Sequence, residues 1–196
     1  MLDLGAGTGW LSYRLSRAGH HATALDWRWD GIDGLGAGGA FRSRGERMFG
    51  RVGASFDALP LPDGTFDIVA FNAAIHYAED LGRVLSEAAR VTRFGGRIAI
   101  LDSPFYTRAA DGESMVAEKR RDAHRVFGDR AAALLALKSI EYLTPDRLAR
   151  ASAGLGLAWR RHRVRYPLWY ELRPLIALIR GGRRPSRFDL WTTAVP

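Results

Sequence analysis

The chain contains no cysteine. Disulfides, zinc–thiolate centres and a cysteine nucleophile are therefore excluded, and the composition suits a reducing compartment, so a cytoplasmic location is expected. Lysine is almost absent: Lys119 and Lys138 are the only two, and the formal charge of +8 is carried by arginine. Arginine excess marks contact with nucleic acid or anionic membrane in some proteins. In others it follows genome base composition, and that is the reading preferred here. No apolar run reaches the roughly 20 residues needed to cross a bilayer, and the start lacks a secretory-signal pattern. No repeat, low-complexity linker or composition shift divides the sequence, so residues 1–196 are read as one domain large enough for a sizeable core. His20 and His21 are adjacent and would face opposite sides of a strand, so no metal constellation is visible and no metal is expected.

What the chain does have is concentrated at its start. Residues 1–9, M-L-D-L-G-A-G-T-G, read as a short buried strand followed by a loop of three alternating glycines, with a helix beginning near Trp10. Such a turn lets backbone approach a ligand closely, because no Cβ intervenes. The spacing is G-x-G-x-G. A dinucleotide fingerprint needs a third glycine where Trp10 stands, and a phosphate-binding P-loop needs a Gly-Lys-Ser/Thr ending, which is absent. Asp26 closes the next apolar strand (22–27), about twenty residues past the glycines, where a carboxylate in a βαβ unit faces a ribose. The plainer alternative for Asp26 is a helix cap or a surface acid.

The run D-L-G-A-G-T-G resembles motif I of the class I S-adenosylmethionine-dependent methyltransferases. Residues 56–72, F-D-A-L-P-L-P-D-G-T-F-D-I-V-A-F-N, closely resemble the loop and fourth strand of the small-molecule branch called methyltransferase type 11, and residues 84–102 are similar to the same family. The resemblance implies a Rossmann-like doubly wound α/β sheet of seven strands in the order 3-2-1-4-5-7-6, the seventh antiparallel, with helices on both faces. It implies S-adenosylmethionine as cofactor. Gly5, Ala6, Gly7 and Gly9 would give backbone access, and Asp3 would hold the methionine end through its amino group or a water. Asp26 would bind the ribose hydroxyls, Trp27 would stack on adenine, Asp57 would meet the adenine amino group, and the Ala58 amide a ring nitrogen. Asn72, at the end of strand four, completes the cofactor set. His76 is the general-base candidate, since its ordinary pKa lies near neutrality. Tyr77, Asp102 and Tyr106 are candidates for the acceptor pocket. Plainer roles compete: a turn-capping Asp57, a His76 that only packs, a loop-forming Asp102, a buried Tyr106. The family places helices before the first strand, so a truncated or mis-assigned start at Met1 is expected.

Further along, periodicity predicts a helix over 10–18, and a second, glycine-rich one over 30–46 capped by Asp30 or Asp33. Trp29 is read as possible core. A strand is predicted over 51–55. Asp80 is expected to cap a helix with Leu81, Val84, Leu85 and Ala88 on one face, stopped by Gly95-Gly96, with strand five over 97–101. A charged helix over 112–127 belongs to an expected substrate-covering insert, 104–143, its charges read as a solvated face. Thr144 and Pro145 open another short helix ending near Gly154. Strand six is placed over 157–165 and the last strand over 188–195. Between them the tail mixes Trp169, Leu172, Leu175, Ile176, Leu178 and Ile179 with arginines. The preferred reading packs this connection on the sheet; the sharper one makes it a surface for a membrane interface or an apolar substrate. Pro174 rules out one long helix.

The reaction expected is methyl transfer to a small-molecule acceptor by in-line displacement. A sulfonium is already activated, so positioning alone can supply roughly 7–11 kcal/mol of barrier lowering. Two rivals remain. An RNA methyltransferase is less favoured, because residues 72–75 read N-A-A-I rather than the Asn/Asp-Pro-Pro-aromatic motif of base-methylating families. The other is a methyltransferase-like domain that binds cofactor without turnover.

Overall fold

The computed structural model describes residues 1–42, 48–136 and 138–196. Strands β1 (Leu2–Leu4), β2 (Thr23–Asp26), β3 (Gly50–Gly53), β4 (Phe66–Asn72), β5 (Thr92–Leu101), β6 (Arg160–His162) and β7 (Leu190–Ala194) form one sheet in the order β3-β2-β1-β4-β5-β7-β6. The first five pair in parallel, and β7 runs antiparallel to both β5 and β6. Apart from Asp3 in β1, the central strands are apolar on both faces, as a sheet covered on both sides requires. Successive side chains alternate between faces. Leu2, Leu4, Leu25, Val69, Phe71, Ile98 and Ile100 build the larger core, whereas Ala24 joins Ala22, Leu35 and Phe49 in a second one.

Helix α1 (Trp10–Arg17) contributes Tyr13 and Leu15 to the second core. Helix α2 (Leu81–Val91) covers the larger one with Leu81, Val84, Leu85, Ala88 and Val91, all buried. Burying each of the larger of these side chains is worth roughly 1.5–3 kcal/mol. Asp80 caps the helix, accepting from the Arg83 amide at 3.1 Å. Helices α3 (Ala109–Phe127), α4 (Ala131–Leu135) and α5 (Pro145–Ala151) follow β5. Thr144 caps α5 through the Arg147 amide, with Pro145 in the first turn, as the sequence signals. Short helices α6 (Leu168–Glu171) and α7 (Arg173–Ile179) connect β6 to β7.

Four expectations change. Helix α2 ends at Val91, not at Gly95-Gly96. Thr92 is already extended, and its hydroxyl closes the helix on the Ala88 carbonyl at 2.6 Å. The glycines lie inside β5, in a bulge: pairing passes from Phe66↔Thr92 to Ile68↔Arg97, so β5 advances five residues while β4 advances two. Gly95 has φ +69°, and a Cβ on Gly96 would meet the Thr92 methyl at 2.6 Å, so the bulge needs both. The described part of 30–46 is not an α-helix but turns and a 3-10 segment, Ala37–Arg42; positions 43–47 lie outside the described residues. Gly34, Gly36 and Gly38 press on the Arg28, Trp29 and Thr8 backbone, leaving no space for the side chains an ordinary helix would carry. Trp29 is exposed, lying over Gly53 with the Arg51 guanidinium 5.6 Å from its ring, and is not core. Finally, α6 and α7 bury no residue, so the tail connection does not pack on the sheet. No described helix is long and apolar enough to cross a membrane.

Candidate active site

The C-terminal ends of β1, β2, β4 and β5 bring the predicted residues to one edge of the sheet, outside which open α/β sheets bind ligands. Gly5, Gly7 and Gly9 all have left-handed φ (+71°, +55°, +81°). A Cβ on Gly5 would stand 2.5 Å from that of Ala74, and one on Gly9 2.6 Å from the Phe49 ring. Gly7 is different. Among the described residues a Cβ there would meet only the Asp33 carbonyl, at 3.5 Å, so the Cα side of this turn is open toward a ligand. The Gly5 and Ala6 amides donate to the Leu25 carbonyl, which anchors the loop to β2.

Asp26, at the end of β2, accepts from the Gly7 amide (2.8 Å) and the Arg28 amide (2.9 Å), one on each oxygen. A carboxylate has about four acceptor sites, so the second lone pair of each oxygen stays available to a diol. Asp3 is only 1% exposed. Its Oδ2 accepts from the Ser12 hydroxyl at 3.0 Å, while Oδ1 is buried with no partner. Burial lifts the Asp3 carboxyl to about 6, against the lowering effect of the Ser12 hydrogen bonds. An orphaned buried carboxylate oxygen is costly unless a donor is supplied, and an ammonium group is the donor that suits it best. Together with the open glycine turn, Asp3 and Asp26 fit an amino-acid nucleoside such as S-adenosylmethionine.

Trp27 is 72% exposed, and among the described residues no other ring or cation covers its own. Asp57 lies on the loop between β3 and β4. Its carboxylate makes no hydrogen bond among the described residues, and its carbonyl accepts from Arg83 Nε at 2.9 Å. The Ala58 amide turns back on the Ser55 carbonyl at 3.3 Å, a long bond that a better acceptor would replace. The sequence reading missed what holds this loop. Glu87 accepts from the Leu59 amide, and Arg90 donates to the carbonyls of Leu59 and Leu61 and to Glu87 and Asp63. Both residues sit on α2, which therefore packs the core and pins the loop.

Beyond β4 the chain is strained. Asn72 ends the strand, and Ala73 has φ +54°; after β5, Asp102 has φ +47°. A 3-10 turn, Ile75–Tyr77, carries His76. A cavity of about 290 Å³ opens beside it, lined among others by His76, Tyr77, Tyr106, Met115, Lys119 and Glu141. His76 Nδ1 stands 3.5 Å from the Ser103 hydroxyl, and its ring lies 4.3 Å from that of Tyr77. Lys119 Nζ pairs with Glu141 at 2.6 Å. Glu141 is the third non-glycine residue with positive φ (+64°), and its amide donates to the His76 carbonyl. Burial pushes His76 down to about 4, helped by the Lys119 ammonium and opposed by Glu141. His76 is thus neutral at pH 7. Tyr106 is buried, its hydroxyl 3.2 Å from Arg183. Asp102 is exposed and is not among the residues lining this cavity. Lys119 and Glu141 were not singled out from sequence, where the charges of α3 read as a solvated face; the one available signal was a lysine in a chain that otherwise uses arginine. Among the described residues no group of His, Asp or Glu is arranged to hold a metal ion.

A sheet in this order with an antiparallel seventh strand, three left-handed glycines after β1 and an acid closing β2 define a Rossmann-like, S-adenosylmethionine-dependent methyltransferase. The chain belongs to the methyltransferase-domain family, type 11, whose family model matches residues 2–100. It is 34% identical over 176 residues to the ubiquinone/menaquinone biosynthesis C-methyltransferase UbiE of Methylobacterium nodulans, covering 84% of this chain and 68% of that protein. It is 34% identical over 111 residues to a malonyl-[acyl-carrier protein] O-methyltransferase of Erwinia billingiae, covering 57% of this chain but 39% of that one. Among solved structures, the YcgJ protein of Bacillus subtilis superposes with a TM-score of 0.66 at 17% identity, over 99% of this chain and 88% of the other, a likeness of fold.

Proposed function

We propose that the protein transfers a methyl group from S-adenosylmethionine to a small-molecule acceptor held in the cavity beside His76. The observation that carries this reading is the abutment of the two sites: Ala74, two residues before His76, presses against Gly5 of the glycine loop. The relatives support it at class level, one named for transfer to carbon and the other for transfer to oxygen.

The sulfonium of the bound cofactor supplies an activated methyl group. In this reading Asp3 holds the ammonium end, Asp26 the ribose hydroxyls, the loop at Asp57 and Ala58 the adenine, and Trp27 stacks on the base. Gly5, Ala6, Gly7 and Gly9 provide the close backbone approach, and Asn72 borders the reacting centre. Tyr77 and Tyr106 flank the acceptor. His76 Nε2 or Nδ1 takes the acceptor's proton where one must leave, and Lys119 steadies the negative charge left behind. Asp102, exposed outside the cavity, is at most a rim contact. Two rival outcomes, binding without turnover and RNA as acceptor, are told apart by turnover measured with each acceptor class.

Calorimetric titration with S-adenosylmethionine and with NADH, on the wild type and on Asp26→Ala, tests this. Micromolar affinity for the methyl donor is expected, weakened roughly tenfold or more in the variant by loss of charge-assisted hydrogen bonds, with no heat from NADH. Equal heats in the wild type and the variant, or binding of NADH instead, would sink the cofactor assignment.

A further inference from the structure

The least protein-like surface of the molecule is the α6–α7 connection. Neither helix buries a residue, and Leu168, Trp169, Leu172, Leu175, Ile176, Leu178 and Ile179 all face outward, Ile179 being 77% exposed. A contiguous apolar surface of this kind marks a binding face. Charge says what covers it. Between positions 163 and 187 there are seven arginines and a single acid, Glu171. Glu171 is already held by Arg163 and Arg187. Arg165 and Arg180 are exposed and make no ion pair among the described residues. Tyr166 lies tilted against Tyr170, which meets the edge of Trp169, and Arg173 lies over the Tyr170 ring at 4.5 Å. Apolar side chains with interfacial aromatics inside an arginine border are the chemistry of a helix lying in a lipid headgroup layer. The guanidinium fork also matches phosphodiester oxygens. A second copy of the chain fits poorly, because a twofold contact would set this arginine border against itself.

We propose that the α6–α7 arm docks on the surface of an anionic phospholipid bilayer. The two short helices, separated at Leu172, are too short to span, and their outward apolar residues would enter the headgroup layer instead. It is also joined to the acceptor cavity. The loop leaving α7 carries Arg183, which bonds the Tyr106 hydroxyl and pairs with Glu118 of α3, and Ser186, which lines the cavity. Seating the arm on lipid therefore sets one wall of the acceptor site at the membrane surface.

The test is co-sedimentation and tryptophan emission with vesicles of equal parts phosphatidylcholine and phosphatidylglycerol, beside vesicles of phosphatidylcholine alone. Binding to the anionic vesicles is expected to be at least roughly tenfold tighter than to the neutral ones, with a blue shift that disappears in Trp169→Phe. The double variant Leu175→Ser/Ile179→Ser leaves the charge unchanged and alters only exposed positions. Circular dichroism should show it folded, while its vesicle affinity falls at least roughly fivefold through lost apolar insertion. Absence of pelleting with anionic vesicles would overturn the proposal. So would pelleting unchanged in the double variant, which is adsorption by net charge alone. A concentration-dependent dimer abolished by that variant would overturn it too, by assigning the face to a second copy.

Discussion

Asp3, the proposed holder of the cofactor's ammonium end, is at the residue scale a buried acid kept at a cost to the fold. Its carboxyl titrates at about 6 in the folded protein against 3.8 in an unfolded chain. A folded pKa that is raised means stability fully present below pH 3.8 and lost as pH rises through 6. A shift of that size is worth about 3 kcal/mol at neutral pH. Asp3→Asn should therefore raise the melting temperature at pH 7.5, by about 2–4 °C per kcal/mol recovered. It should also weaken S-adenosylmethionine binding roughly ten- to a hundredfold through loss of a charged hydrogen bond. Calorimetry and thermal melting on one preparation separate this from a structural role, in which both would fall. In the wild type, affinity for the methyl donor should decline as pH drops below about 6, because protonated Asp3 attracts the ammonium less. His76 behaves in the opposite sense. With its pKa depressed to about 4, the neutral base persists into acid, so kcat should stay level from pH 8 down to about 5. An acid limb near 6.5 in the pH–rate profile would mean that His76 is more hydrated than the structure indicates, or is not the base.

At the scale of elements, α2 couples the core to the loop after β3, the proposed adenine-binding loop. Five buried side chains fix its inner face, and Glu87 and Arg90 on its flank hold the carbonyls and amide of the loop after β3. Arg90→Ala should loosen that loop while sparing the acceptor cavity. The expected result is roughly tenfold weaker S-adenosylmethionine binding with kcat at saturation nearly unchanged, the signature of lost ground-state binding. A fall in kcat alone would contradict this role. The helix itself was legible in the sequence, since Asp80 and the 3.6-residue spacing of its apolar residues are local signals. Its end was not. Gly95-Gly96 look like a helix stop, but Thr92 stops the helix first, and the glycines serve a bulge defined only by pairing with β4. The α6–α7 connection was misjudged for a related reason: apolar content predicts burial only when something stands opposite, and that depends on tertiary arrangement.

On the scale of the whole molecule, the alternation of apolar strands and helices pointed to a doubly wound sheet, while the strand order came from the resemblance and matches the structure. That Asp3, the glycine loop, Asp26 and Asn72 share one edge of the sheet was readable, because they follow strand ends at fixed spacing. The acceptor half was not, because Lys119, Glu141 and Ser186 reach the cavity from α3, the segment after α4 and the loop after α7, far apart in sequence. At a hundredfold excess over Kd, S-adenosylmethionine should stabilise the fold by about 2.7 kcal/mol, a rise in Tm of about 5–10 °C, with no shift from NADH. The shortage of lysine has a practical consequence as well. Within these 196 residues side-chain amines occur only at Lys119 and Lys138. A mild acylating anhydride followed by peptide mass spectrometry therefore becomes a reporter of cavity occupancy. Lys138, exposed on the surface, serves as the internal standard, and a true acceptor is the compound that shields Lys119 from the label.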